Sequence, residues 1–134
     1  MHTRKSQRQR QGAVTVEMAI AVPILFLMVF AALEFCGMNV IRHSVDNAAY
    51  EGARRGIVPG ATVADIEAQA NLIMAAAGAT NVVVDVNPPV IDVDTEELTV
   101  TITVPVVGNG WISPIFFSRD DVLVGTCRML REEL

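Results

Sequence analysis

The sequence predicts an α+β protein. A long N-terminal membrane-spanning helix continues outside the membrane and is followed by a second short helix and a small, mainly antiparallel sheet of three to four strands. Three observations predict this. Met18–Leu33 is a run of sixteen residues without a charge. An apolar period of ~3.6 persists beyond that run to residue 55 and returns over 62–77. From residue 82 the period drops to two, with β-branched residues alternating with threonines.

The membrane segment dominates the reading. Counted from Ala13 to Phe35 it has 23 residues, interrupted by Glu17 and closed by Glu34. At a rise of ~1.5 Å per residue it reaches about 34 Å, enough for a ~30 Å hydrocarbon core. The flanking charge sets its expected orientation. Residues 1–12 hold Arg4, Lys5, Arg8 and Arg10 and no acid, whereas residues 13–134 hold six arginines against fifteen acids. Cations just before an apolar run mark the cytoplasmic side. Residues 1–12 therefore read as a basic cytoplasmic leader, 13–36 as the transmembrane helix and 37–134 as an extracytoplasmic head. The protein would be single-pass in the cytoplasmic membrane, with its N-terminus inside and its C-terminus outside. The leader lacks an apolar period and is expected to be disordered.

The helix is expected to run on over 37–55. Met38, Ile41, Val45, Ala48, Ala49, Gly52 and Ala53 fall on one stripe, and Asn39, Arg42, His43, Asp46, Asn47, Glu51 and Arg54 fall mostly on the other side. Gly56, with Pro59-Gly60 close behind, should stop it. The resulting helix would have roughly 43 residues and a length of about 65 Å. The small residues on the stripe permit close packing, and the head's own sheet is the favoured occupant over a neighbouring subunit's helix. Arg54 and Arg55 would pair with acids of the head or lie in solvent at the helix end.

The second helix, over 62–77, starts at Thr62-Val63-Ala64-Asp65, a capping-box variant, and stops at Gly78. Its apolar face is Ile66, Ala70, Ile73, Met74 and Ala77. The sheet region spans 82–131. Its segments are Val82–Val86, a candidate strand at Val90–Val93, the clear alternation Glu97–Val106 and the last strand Asp121–Arg131. Asp94-Thr95-Glu96 is the expected turn before the third segment, and Val107–Phe117 reads as a loop. So small a sheet is expected to depend on the helix stripe for its cover.

Composition excludes several functions. An acidic body repels phosphates, so no nucleic-acid partner is expected. Two cysteines 91 positions apart and two histidines cannot build a zinc site or a disulfide-dense scaffold. Asp92, Asp94, Glu96 and Glu97 lack the spacing of a calcium loop. There is no phosphate loop and no nucleophile with a base. No catalytic residue, cofactor or metal is predicted, and the chain does not read as an enzyme. Leu33-Glu34-Phe35-Cys36 lacks the small residues that a lipoprotein site needs before its cysteine. Cys36 and Cys127 would both lie at or beyond the outer membrane face, where a disulfide between them stands beside the alternative of two separate buried thiols.

Glu17 is the most unusual residue. A carboxylate deep in a lipid-spanning helix costs roughly 2.5–3.5 kcal/mol on insertion scales, so it is either paired or close to the headgroups. Pro23 lies within the same span, where a proline is tolerated and can also ease extraction from the bilayer.

The order of a basic stretch, Gly12, Ala13-Val14-Thr15-Val16-Glu17 and an apolar run resembles the processing site of type IV prepilins. In that family a membrane peptidase cuts after the glycine and a glutamate stands fifth in the mature chain. The segment Ala48-Ala49-Tyr50-Glu51-Gly52-Ala53-Arg54 resembles the AxxGAR signature of TadE-like proteins, minor pilins or pseudopilins of the tight-adherence (Tad) pilus. Ala49, Gly52, Ala53 and Arg54 match that signature. Met18 departs from the phenylalanine common in TadE-like proteins.

The resemblance implies processing between Gly12 and Ala13 and an assembly role for Glu17. It also implies a prepilin peptidase, other pilins, an assembly platform and the lipid bilayer as partners, with an adhesion pilus as the product. Cutting would free an amine on Ala13 with a pKa near 8. The Glu17 of a staggered neighbour could meet that amine, each removing the other's burial cost. The rival is an uncleaved single-pass anchor displaying a small binding or scaffold domain. A secreted enzyme behind a removed signal peptide is disfavoured by the long apolar run and the lack of an A-x-A-like site.

Overall fold

The computed structural model describes the backbone of residues 3–92, 95–111, 115–118 and 120–131, with side chains from residue 12 onward. The chain divides into two compact units, Met1–Leu33 and Glu34–Leu134.

The first helix, α1, runs over Thr3–Gly56 without a break at Pro23. It therefore begins before Gly12, and residues 3–12 of the leader are helical rather than disordered. Lys, Arg and Gln are good helix formers, and extending a helix that is already nucleated is far easier than starting one. In the first unit nearly every described side chain is exposed, including Val14, Ile20, Leu25, Phe26 and Phe30. This region contains an apolar stretch long enough to cross a membrane, none of it buried inside the protein.

The second unit is built on the C-terminal part of α1. The predicted stripe is the buried face: Met38, Ile41, Val45, Ala48, Ala49 and Ala53 are each 5% exposed or less, and Gly52 is buried with them. Gly56, at the end of α1, has no room for a side chain. A Cβ there would collide with the Leu98 side chain and come within 2.6 Å of Ile66 Cδ1.

The second helix, α2, spans Val63–Ala76 with Thr62 as its N-cap. The Asp65 N–H donates to Thr62 Oγ1 (3.3 Å) and the Thr62 N–H donates to Asp65 Oδ2 (3.0 Å), which closes the capping box. Gly78 takes φ +76°, and the Ala79 N–H reaches back to the Met74 carbonyl at 2.9 Å, the left-handed stop that glycine supplies. Ile66, Ala70 and Met74 are fully buried.

The sheet has three antiparallel strands in the order β1-β2-β3: Val83–Asn87, Glu97–Pro105 and Val122–Leu130. Residues 90–92 do not form a strand, and Val93 lies outside the described residues. Pro88 and Pro89 lack the N–H groups a paired edge would use, and Val90 is 73% exposed. Asp94 of the expected turn also lies outside the described residues. The turn closes at Asp92 and Thr95, where the Thr95 N–H donates to the Asp92 carbonyl at 3.2 Å.

The central strand alternates as its sequence does. Leu98, Val100, Ile102 and Val104 are fully buried, as is Val106 just beyond. Thr99, Thr101 and Thr103 take the opposite face, where Thr101 and Thr126 meet hydroxyl to hydroxyl at 3.2 Å and Arg128 pairs with Glu97. Leu123, Cys127 and Met129 of β3 sit opposite Val104, Val100 and Leu98 and half-bury against the core.

Cys36 and Cys127 are free thiols, so the disulfide weighed from the sequence does not form in this fold. Cys127 pairs with Val100 and lies two residues from Gly125, which packs on Val45 of α1. Cys36 lies nine residues before Val45, about 13 Å along the helix axis and beyond the ~7 Å Cα separation a disulfide tolerates.

Candidate functional site

The predicted site residues fall into two groups. Gly12, Ala13 and Glu17 belong to the exposed first unit. Among the described residues, nothing beyond its chain neighbours and its own helix backbone lies within 4 Å of the position a Cβ on Gly12 would take. Ala13 and Glu17 are one helical turn apart, about 6 Å along the axis, and so share a face of α1. Among the described residues the Glu17 carboxylate has no ion-pair partner.

Ala49, Gly52, Ala53 and Arg54 belong to the second unit, where the small residues pack inward. A Cβ on Gly52 would touch Ile66 Cγ2 (3.4 Å), Val100 Cγ1 (3.5 Å) and Ala70 Cβ (3.7 Å). Gly52 thus lets α1 approach α2 and the sheet together, and the stripe's occupant is the chain's own head. Arg54 points out and pairs with Glu51 at 3.7 Å. Arg55 reaches Asp65 at 3.8 Å and ties the end of α1 to the start of α2. Asp65 is held below the usual carboxylate range, first by the Thr62 N–H, then by the Thr62 hydroxyl, with Arg55 assisting against partial burial. Burial pushes the Cys127 thiol up.

Two polar devices escaped the sequence reading. Glu34, read as the residue that closes the apolar run, is 2% exposed. Its carboxylate accepts the N–H groups of Ile115, Phe116 and Phe117 at 3.0–3.2 Å. It thereby gathers the loop between β2 and β3 onto α1. Beside it Phe35 stacks with Phe116, and Trp111 packs on Gly37. The donors are backbone groups more than eighty positions away, which no side-chain pattern announces.

The second device is Asn109, which is 5% exposed. Its Oδ1 accepts the Thr80 N–H at 2.5 Å, and its Nδ2 donates to the carbonyls of Thr80 (2.9 Å) and Pro105 (2.8 Å). It pins the start of the same loop to the turn after α2. In the sequence, Gly108-Asn109-Gly110 signals only a loop.

Three comparisons bear on this arrangement. No curated protein matches the chain, and no solved structure matches it. Residues 12–54 match the model of a family described as TadE-like protein. That segment starts at the candidate processing glycine and ends at Arg54, the last residue of the helix signature. Over residues 12–54, from the glycine ahead of the apolar run to the packed stripe of small residues, the chain is therefore similar to TadE-like proteins.

Proposed function

We propose that this protein is a membrane-anchored, pilin-like structural subunit that is processed after Gly12 and takes part in assembling a Tad-type adhesion pilus. The observation that carries the reading is the placement of Gly12 and Glu17, both exposed on a helix with a membrane-length apolar stretch, inside the TadE-like segment. Its role is architectural rather than catalytic. Hydrolysis of the Gly12–Ala13 amide by a prepilin peptidase consumes one water, leaves a carboxylate on Gly12 and frees the Ala13 amine. That cation sits one turn from Glu17, so each subunit offers one charge of each sign to its staggered neighbours. An unmet partner in low dielectric costs several kcal/mol, and the pair selects one register. Other pilins, the assembly platform and the bilayer are the remaining partners. The leader's cations support a cytoplasmic leader and a head on the outside.

A second reading is an uncleaved single-pass anchor for the head. It is favoured by the unbroken course of α1 through Gly12 and Ala13, because a peptidase must unwind the helix there to cut. The N-terminal residue and mass of the native protein decide between them. Ala13 at the N-terminus is expected, and Met1 or His2 would favour the anchor. A C-terminal alkaline phosphatase fusion is expected to be active, and an inactive one would reverse the orientation.

A further inference from the structure

Four large apolar side chains stand exposed together at one place in the second unit: Phe35 (56%), Trp111 (62%), Ile115 (62%) and Phe116 (48%). None belongs to the buried core. Their placement is nevertheless built. Phe35 stacks with Phe116, ring centroids 6.5 Å apart, and meets Phe117 edge-on at 5.1 Å. Trp111 lies so close to Gly37 that a Cβ there would come within 3.3 Å of the indole. Glu34 holds the backbone of Ile115–Phe117 through three N–H groups. A protein that spends a buried carboxylate to fix a loop and then turns that loop's aromatic residues outward is presenting a surface.

The position of the patch in the chain says what meets it. Phe35 and Gly37 follow the uncharged run Met18–Leu33 by two and four residues. The exposed positions that come next on α1 include Asn39, Arg42 and His43. The patch is thus attached where an apolar helix surface gives way to a polar one, which in a spanning helix is the headgroup level. Trp and other aromatic rings concentrate at that level in membrane proteins. We infer that Trp111, Ile115 and Phe116, with Phe35, form a membrane-interface foot that enters the boundary between headgroups and acyl chains where α1 leaves the bilayer. The foot would fix the depth of the head on the membrane before any transfer into a fibre. This inference rests on the membrane-anchored reading and is independent of processing and of pilus assembly.

Trp111 is the chain's single tryptophan, so the foot carries its own reporter. The full-length protein would be reconstituted at low protein-to-lipid ratio into phosphatidylcholine–phosphatidylglycerol vesicles and floated on a density gradient. Tryptophan emission would then be followed with lipids brominated high or low on the acyl chain and with aqueous iodide. The expected result is flotation, a larger loss of emission with the shallow bromine than with the deep one, and poor quenching by iodide. Flotation with emission that iodide quenches freely and brominated lipid leaves unchanged would overturn the foot and leave the anchor standing. Shielding from iodide that appears only at high protein-to-lipid ratio would assign the patch to a second copy and overturn the lipid contact. Failure to float would overturn the anchored reading and the foot with it.

Discussion

Gly125 on β3 faces Val45 on α1 so closely that a Cβ on the glycine would come within 2.7 Å of Val45 Cγ1. The same atom would lie 2.9 Å from Asp46 Oδ1 and 3.1 Å from the Val45 carbonyl carbon. The helix backbone is also close, so turning the Val45 and Asp46 side chains away would still leave a tight contact with the Val45 carbonyl carbon. Glycine in a strand normally weakens it, and strand propensity alone predicts a gain from alanine. The structure predicts the opposite sign. Gly125→Ala should destabilise the head by roughly 1–3 kcal/mol, the usual cost of overpacking. A lower midpoint of chemical denaturation in detergent would bear this out, and a higher one would mean that α1 does not seat on β3 as described.

The Thr62–Asp65 capping box should make stability depend on acidity. The Asp65 carboxyl is held below its ordinary value, which is ~3.9 in an unfolded chain. A depressed folded-state pKa contributes stability that is fully present above the unfolded value and is lost as pH falls through it toward the folded one. The stability deficit of Asp65→Asn against wild type should therefore be larger at about pH 7 than at about pH 3. Equal deficits at both would show that the ionised carboxylate is not what the cap uses. Thr62→Ala should cost about 0.5–2 kcal/mol, the usual range for a lost N-cap.

Replacing Glu34 removes the acceptor of three consecutive N–H groups, those of Ile115, Phe116 and Phe117. In Glu34→Ala, hydrogen exchange at these amides should accelerate by roughly tenfold or more, with the β2 amides unchanged. Glu34→Gln keeps an oxygen acceptor without the charge and should fall between. Unchanged exchange at all three amides in Glu34→Ala would show that the loop is held by something else.

Gly12 and Glu17 should fail at different steps. Gly12→Val places a branched side chain where the peptidase needs none, and should leave a precursor roughly 1.5 kDa heavier, the mass of a leader of about twelve residues. Glu17→Ala should still be cut and yet fail to support a fibre, because the neighbour's amine is left unmet in low dielectric. Immunoblot size reads the first step and sheared pilus yield the second. Wild-type size and yield in both variants would leave Glu17 as an interfacial carboxylate and favour the uncleaved anchor.

The sequence by itself determined what depends on local order. The stripe from Met38 to Ala53, the alternation from Leu98 to Val106 and the Thr62–Asp65 cap are all legible because a helix repeats every ~3.6 residues and a strand every two. The likeness of residues 12–54 to TadE-like proteins lay in the same local pattern. Only the tertiary structure decided what depends on which segments meet. Gly56 marks a helix stop in the sequence, but neither it nor Gly125 announces that a Cβ must be missing, since that need is set by Leu98 and Ile66 and by Val45, brought there by the fold. Asn109 and Glu34 are ordinary residues until backbone groups from distant positions arrive at their side chains. The fate of residues 90–92 was settled in the same way: a short β-branched run becomes a strand only if an edge pairs with it, and none does among the described residues.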